Sequence, residues 1–289
     1  MRNYLQLIRP ANVLTALTDV LAGYALALLL AGAENVNMQL IFLILASMCL
    51  YAGGIVFNDI FDLELDKGER PERLLPRGII SVKSATIFGI SLFAAGIALS
   101  AIVSSLSVIL AIAIAGACLV YDKWAKHHTF LGPVVMGCCR GLNLLLGMSM
   151  LASLYFPVSY LFFVPVVYIA AVTHISQGEV YGNNRNALRL SGLLYLLIIG
   201  VISYLAYIYG QVLSGLFILA FAVMIFSPLL KALKSPEPPL IKKAVKAGVL
   251  GLIWMNAAWV SLAGFFMLAS FIVLLLPVCL WLGKRFAVT

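Results

Sequence analysis

The 289-residue sequence predicts an all-α fold, a polytopic transmembrane helical bundle, on three observations. Apolar residues make up 63% of the chain and charged residues 10%, with a mean hydropathy of +1.08; water-soluble domains run near ~45–50% apolar and ~25% charged. The apolar residues gather into ten runs, each close to the roughly 20 residues that carry a helix across the hydrocarbon core. Cations are present in one connection between runs and absent from the next, the alternation expected of a chain that crosses a membrane repeatedly. The same composition excludes a soluble enzyme, a secreted disulfide scaffold and a nucleic-acid-binding domain, although the net charge of +8 would otherwise invite the last.

Taken in order, the expected spans cover residues 10–31, 38–60, 83–103, 105–121, 130–151, 157–178, 190–209, 211–230, 244–262 and 264–283. The stretch from Ala244 to Leu282 is nearly free of charge and far too long for one helix, so a tight turn near Ala263 and Gly264 is expected to divide it. Arg9 and Pro10 interrupt the pattern of a signal peptide, and none is expected. The five cysteines, Cys49, Cys118, Cys138, Cys139 and Cys279, all fall inside apolar runs without metal-ligand spacing and read as small core residues.

Of the 19 Lys and Arg, 18 lie in or beside the N-terminus, the connections after spans two, four, six and eight, and the C-terminal tail. Both termini and the long loops are therefore expected on the cytoplasmic side, which requires an even number of spans. The remaining cation, Arg140, lies within span five.

The acidic residues are more concentrated still. Six of eleven, Asp59, Asp62, Glu64, Asp66, Glu69 and Glu72, occupy fourteen residues at the exit of span two, in NDIFDLELDKGERPERLLPRG. On a helix continuing out of that span, Asn58, Asp59, Asp62 and Asp66 share one side while Glu64 points elsewhere. Three carboxylates and an amide oxygen on one face suit a hard divalent cation with oxygen ligands, Mg2+ by default; the alternative is a solvated helix end with acidic decoration. Lys67, Arg70, Arg73 and Arg77 follow within eleven residues of Asp66, and Arg73 and Arg77 are the leading candidates to bind the outer oxygens of a metal-bridged diphosphate.

NDIFDLELD resembles the NDxxDxxxD signature of the UbiA superfamily of intramembrane prenyltransferases. Arg9-Pro10-Ala11-Asn12 with Thr15-Ala16 resembles that family's first-helix opening, and Arg73 to Gly78 resembles the stretch after its first Asp-rich motif, with Leu74 where Pro is usual. Tyr121, Lys126 and Gly132 are similar to its fourth loop. The resemblance implies a single transmembrane domain over residues 1–289, usually of nine spans around a central cavity open sideways to lipid. It also implies Mg2+, an isoprenyl diphosphate donor and transfer of the prenyl group to an aromatic or other lipophilic acceptor. Ten expected spans depart from that count.

The family's second Asp-rich run corresponds here to THISQGEVYGNNR, residues 173–185, where one carboxylate remains. Glu179 and Asn183 stand four apart as ExxxN, with Arg185 just beyond. An amide supplies less charge than a second aspartate, which leaves a second Mg2+ weaker or replaced by Arg185 and Lys126. This stretch is similar to the EboC-like branch of the superfamily. An ordinary helix end at Gly178 and Gly182 is the plainer alternative.

Ionisable groups within spans are costly, roughly 2.5–3.5 kcal/mol on translocon scales, and are candidates for function. Asp19 and Arg140 qualify; Arg140 lies about 15 Å into span five and must face the bundle. With Asn143 at i+3 it forms a polar stripe fit to touch diphosphate or a polar acceptor, unless it serves only to tie span five to span one through Asp19. His174 is either a proton acceptor or a buried hydrogen-bonded histidine.

From residues and resemblance together, the expected catalytic residues are Asp62, Asp66, Arg140 and Glu179. Metal ligation is expected from Asn58, Asp59, Asp62, Asp66, Glu179 and Asn183. Substrate binding is expected from Asn12, Asn58, Arg73, Arg77, Lys126, Asn143, His174, Asn183 and Arg185. Three function classes meet these features: a prenyltransferase, a non-catalytic carrier of polyprenyl (di)phosphate, and a transporter. The last is disfavoured because the charge clusters at one membrane face rather than at the midplane.

Overall fold

The computed structural model describes residues 2–32, 37–151, 159–179, 182 and 185–286, and all regular structure among them is helical. A short helix α1 (Arg2–Ile8) leads into α2 (Pro10–Ala31), followed by α3 (Leu40–Phe61), α4 (Leu63–Glu69), α5 (Val82–Ala101) and α6 (Ser105–Lys123). The second half holds α7 (Leu131–Met148), α8 (Phe163–Ser176), α9 (Arg185–Ile208), α10 (Ser214–Lys234), α11 (Pro238–Leu262) and α12 (Phe266–Phe286).

Among the described residues, nine helices are long and apolar enough to cross a membrane. The sixth expected span, 157–178, corresponds to the shorter apolar segment Tyr160–Ser176. Its 3-10 entry at Ser159–Phe162 and Pro165 in its first α-turn leave it 17 residues, about 26 Å of helix, at the lower limit of a span. The expected turn between the last two spans is present: α11 ends at Leu262 with Ala263 as its cap, and Gly264 adopts φ +88°, a left-handed conformation open to glycine at little cost.

Local chemistry sets several helix starts. Pro10 opens α2 and Pro238 opens α11, where a missing N–H has no helical partner to lose. The Ser81 and Ser104 hydroxyls accept from the backbone N–H of Ser84 and Ser107 and cap α5 and α6.

Packing is organised around α2. This helix touches α3, α7, α11 and α12, and 83% of its apolar window is buried against 17% for α12, which shows most of its surface outward. Lipid offers no hydrophobic force between helices, so close backbone approach must come from small residues. A Cβ added at Gly147 would stand 2.1 Å from the Val20 carbonyl oxygen, and one at Gly23 would stand 2.0 Å from the Leu144 carbonyl oxygen. The pair therefore lets α2 and α7 meet backbone to backbone. Gly137 does the same for α7 against α8, where a Cβ would reach Val166 O at 2.6 Å. Helices α2, α3, α6, α7, α8 and α11 enclose a central cavity of about 370 Å³.

A second, smaller apolar cluster lies at one end of the bundle. Leu7, Val56, Leu74, Leu75, Ile80 and Ala85 bury together and fix the connection after α4 against α1, α3 and α5. Leu74 and Leu75 thus anchor the backbone that carries Arg73.

Gly147→Ala is expected to destabilise the protein by about 1–3 kcal/mol, because the α2–α7 crossing must open to admit the methyl group. Gly200→Ala, which meets nothing within 4 Å, is expected to be neutral or mildly stabilising. Thermal unfolding of the two variants in the same detergent distinguishes them.

Candidate functional site

The acidic array emerges from α3 and runs into α4 with little interruption. Backbone bonds from Asp62 N to Asn58 O, Asp66 N to Asp62 O and Arg70 N to Asp66 O, at 2.9, 2.8 and 2.9 Å, continue the helical pattern across Asp62. Asn58, Asp62 and Asp66 therefore lie one above another, as their spacing predicts.

Protein cations stand among these carboxylates. Arg73 Nη1 donates to Asp66 Oδ2 at 2.5 Å and to Asp59 Oδ1 at 3.3 Å, and Arg73, Asp59 and Asp66 are all buried. Arg9 also donates to Asp59 Oδ1. Lys126, from the connection between α6 and α7, donates to Asp62 Oδ1 at 2.5 Å. Asn58 Nδ2 donates to Asp122 Oδ1 at 2.8 Å, which brings the last turn of α6 to the array. Four carboxylates, those of Asp59, Asp62, Asp66 and Asp122, thus face three cations, Arg9, Arg73 and Lys126.

Arg9 and Asp122 are members of this cluster that the sequence reading did not place in the site. Arg9 holds φ 49° and ψ 71°, the one non-glycine residue with positive φ among those described. Such a conformation costs of order 1–3 kcal/mol, and here it directs the side chain from the α1–α2 junction onto Asp59. Its signal was the Arg-Pro opening itself. Asp122 carried a weaker one, as the lone acid at the end of span four beside Tyr121.

The all-oxygen donor set, with one carboxylate more than it has cations, fits a hard divalent ion in chemical character. Among the described residues no three His, Cys, Asp or Glu side chains converge on a common ligating point, since the guanidinium and ammonium groups stand between them.

The array meets the central cavity at one end, through Asn58 and its neighbours Arg9 and Asp122. Arg9, Asn12, Asn58, Tyr121 and Asp122 line that end, and Ile55, Ile114, Ile169, Val172, Val249 and Leu252 supply apolar wall. Arg140 and Asn143 line it more deeply. Both also bind Asp19: Arg140 Nε lies 2.9 Å from Asp19 Oδ2, Asn143 Nδ2 donates to the same oxygen at 3.1 Å, and Asn256 Nδ2 donates to Oδ1 at 2.7 Å. The pairing of span one with span five is present, and it coexists with exposure of Arg140 to the cavity.

Other expected site residues lie apart from this cluster. Arg77 and Arg185 are exposed and make no side-chain ion pair or hydrogen bond among the described residues. His174 is half-buried, while its neighbours Thr173 and Ser176 line the cavity. Burial pushes the Glu179 carboxyl above its ordinary range, with Lys242 and Arg70 pulling it back. Asn183 falls outside the described residues.

The model of the UbiA prenyltransferase family matches residues 20–246. The digeranylgeranylglyceryl phosphate synthase of Saccharolobus solfataricus is 28% identical over 176 residues, 58% of this chain and 60% of that protein. The synthase of the same name from Sulfurisphaera tokodaii is 26% identical over 225 residues, 73% of this chain and 80% of the relative. The matched region thus spans less than two thirds of the first of these relatives. The solved structure of a UbiA homologue from Archaeoglobus fulgidus bound to DMAPP and Mg2+ superposes with a TM-score of 0.63 at 18% identity, covering 89% of this chain and 98% of that one. At that identity the likeness shows a shared fold.

Removing one partner of the buried Asp19–Arg140 pair leaves the other uncompensated, which costs about 3–5 kcal/mol. Arg140→Gln alone is therefore expected to lower stability strongly, and adding Asp19→Asn to recover much of the loss. A double-mutant cycle on unfolding midpoints measures the coupling; strictly additive losses would contradict the pairing.

Proposed function

The chain belongs to the UbiA prenyltransferase family, and on that premise we propose that it is an Mg2+-dependent intramembrane prenyltransferase, moving an isoprenyl group from its diphosphate to a lipophilic acceptor. The nine long apolar helices among its described residues and its family make it an integral multi-pass membrane protein. The observation that carries the reading is that the carboxylate and cation cluster meets one end of a cavity whose walls are largely apolar. The related fold solved with DMAPP and Mg2+ supports the donor class and the metal.

Asn58, Asp59, Asp62, Asp66 and Asp122 are the residues that would hold Mg2+. Bound there, the ion would supply positive charge to the diphosphate leaving group. Arg9, Arg73 and Lys126 add fixed cationic donors for the diphosphate oxygens, and their charge-assisted hydrogen bonds strengthen as negative charge grows on the departing group. The bond broken joins the allylic carbon to the diphosphate oxygen, and its electron pair leaves with the diphosphate. The acceptor atom then forms the new bond to the allylic carbon, and the proton it gives up passes to the released diphosphate. Ile55, Ile114, Ile169, Val172 and Leu252 bury the isoprenyl tail and exclude water, which would otherwise capture the carbocation-like carbon. Positive charge in the connections after α3, α6, α8 and α10 supports a cytoplasmic position for these loops, both termini and the diphosphate end of the cavity. Glu179 and Arg185 would take a lesser role, because one carboxylate stands in residues 173–185 where the family carries two.

With purified protein, Mg2+, isoprenyl diphosphates of increasing length and a membrane lipid extract, diphosphate release is expected. Asp62→Ala or Asp66→Ala should reduce it at least 100-fold with the fold retained, and Glu179→Gln by less than tenfold. Full activity in both aspartate variants would remove the assignment. Mg2+-dependent donor binding without release under any acceptor would favour the carrier reading, to which the single carboxylate at residues 173–185 points.

A further inference from the structure

The cavity has a second polar surface that prenyl transfer from the charged end leaves unused. Thr15, Ser47, Tyr51, Arg140 and Asn143 line it away from the carboxylates. Ser47 lies fourteen residues before Phe61 along α3, about 21 Å of helix from the end that bears the acidic array. Tyr51 lies seven residues before Asn58, about 10 Å along the same helix, and its ring packs against the Arg140 guanidinium with 5.5 Å between guanidinium carbon and ring centre.

The hydrogen-bonding groups of this wall are incompletely used. A guanidinium has five N–H donors. Arg140 Nε stands 2.9 Å from Asp19 Oδ2 without a hydrogen bond, Nη2 donates to Asp19 Oδ1 and the Thr15 carbonyl, and Nη1 reaches only Thr15 Oγ1 at a long 3.5 Å. Asn143 uses its amide nitrogen on the Ala16 carbonyl and Asp19, and its Oδ1 accepts no protein hydrogen bond among the described residues. The Ser47 hydroxyl is buried, with its oxygen unpartnered. A donor, an acceptor and a hydroxyl are therefore available on one wall.

The charge of the wall is balanced. Asp19 is fully buried and lies against Arg140, so the pair is neutral as a unit. An isoprenyl tail against this surface would leave all three groups without partners, which burial penalises. A phosphate would add negative charge in a low-dielectric site whose only cation is already matched. A hydroxyl both donates and accepts and carries no charge, which suits all three groups.

We propose that this wall is the acceptor subsite and that it selects an uncharged, hydroxyl-bearing acceptor, with Ser47, Arg140 and Asn143 as its specificity-determining residues. The proposal rests on the prenyl-transfer reading of the same cavity. It separates the two substrates by charge: the anionic group of the donor belongs to the end with Arg9, Arg73 and Lys126, and the acceptor's hydroxyls belong to the neutral wall deeper in.

The test uses the full chain in lipid nanodiscs with Mg2+ and the unreactive donor analogue geranylgeranyl thiolodiphosphate. Binding of that analogue is measured first, then binding of 1-O-hexadecylglycerol and of its 3-phosphate. The uncharged lipid is expected to bind at least tenfold more tightly than the phosphate. Ser47→Ala and Asn143→Leu should each weaken the uncharged lipid three- to tenfold, a larger loss than for the donor analogue. Asp19→Asn, which uncovers the charge of Arg140, should shift the preference towards the phosphate, a change that a purely structural pair would not cause. Equal or tighter binding of the phosphate by the unaltered protein overturns the proposal, as does failure to bind the uncharged lipid. Failure of the donor analogue to bind would instead remove the prenyl-transfer reading itself.

Discussion

Asp19 and Arg140 meet inside a layer of hydrocarbon-spanning helices, and much of the rest of the structure is arranged so that they can. An unpaired charge at that depth is expensive, so α2 and α7 must lie close enough for a 2.9 Å contact. Gly23, one turn beyond Asp19, and Gly147, two turns beyond Arg140, permit it by removing the side chains that would hold the backbones apart. Asn143 and Asn256 then complete the carboxylate's hydrogen bonds and bring α11 to the same point. A polar knot of this kind resists sliding, because displacement breaks the hydrogen bonds that Arg140, Asn143 and Asn256 donate to Asp19. It fixes three helices, and the cavity is the space they leave beside α3, α6 and α8.

The charged end of the cavity follows the opposite rule. There the carboxylates outnumber the neighbouring cations, and the helices alone do not hold the arrangement together. Arg73 reaches Asp59 and Asp66 from a connection whose position depends on the buried pair Leu74 and Leu75. Arg9 reaches Asp59 through a backbone conformation that few non-glycine residues adopt. Lys126 reaches Asp62 from the far side. Three separate connections thus converge on one helix end, so the side chains that would grip a diphosphate lie on segments able to adjust more easily than the spans.

These two parts differed in how far the sequence disclosed them. The stacking of Asn58, Asp62 and Asp66 was legible because it is a local property of helix periodicity, and the turn at Ala263 and Gly264 because an apolar run of that length must fold back. The Asp19–Arg140 pairing was among the expected arrangements, since these were the two ionisable residues singled out within spans. Arg9 and Asp122 were not placed, because each acquires its meaning from a partner far away in the chain, 50 residues for Arg9–Asp59 and 64 for Asn58–Asp122. Arg77 and Arg185 show the converse. Sequence proximity to an acidic motif says nothing about which way a side chain leaves the backbone, and both are exposed.

The two charge regimes are separated by an apolar stretch, and that separation bears on how group transfer could proceed without hydrolysis. A developing allylic cation is attacked by whatever nucleophile is nearest, so the proposed chemistry requires a reacting carbon shielded from the water that solvates its leaving group. Ile55 lies one turn inward from Asn58 and Asp59 on α3, and Ile114 lies two turns inward from Asp122 on α6. Ile55 stands along α3 between Asn58 and Tyr51, whose ring packs on Arg140. A donor anchored by its diphosphate would thread its first carbons past these side chains, which offer no hydrogen bond to water. An acceptor hydroxyl held at the neutral wall would find its polar partners already in place, so its entry requires no water to follow it. The neutrality of the Asp19–Arg140 pair then serves the fold and the reaction together: it lets polar groups exist deep in the bundle while attracting neither counter-ions nor the diphosphate.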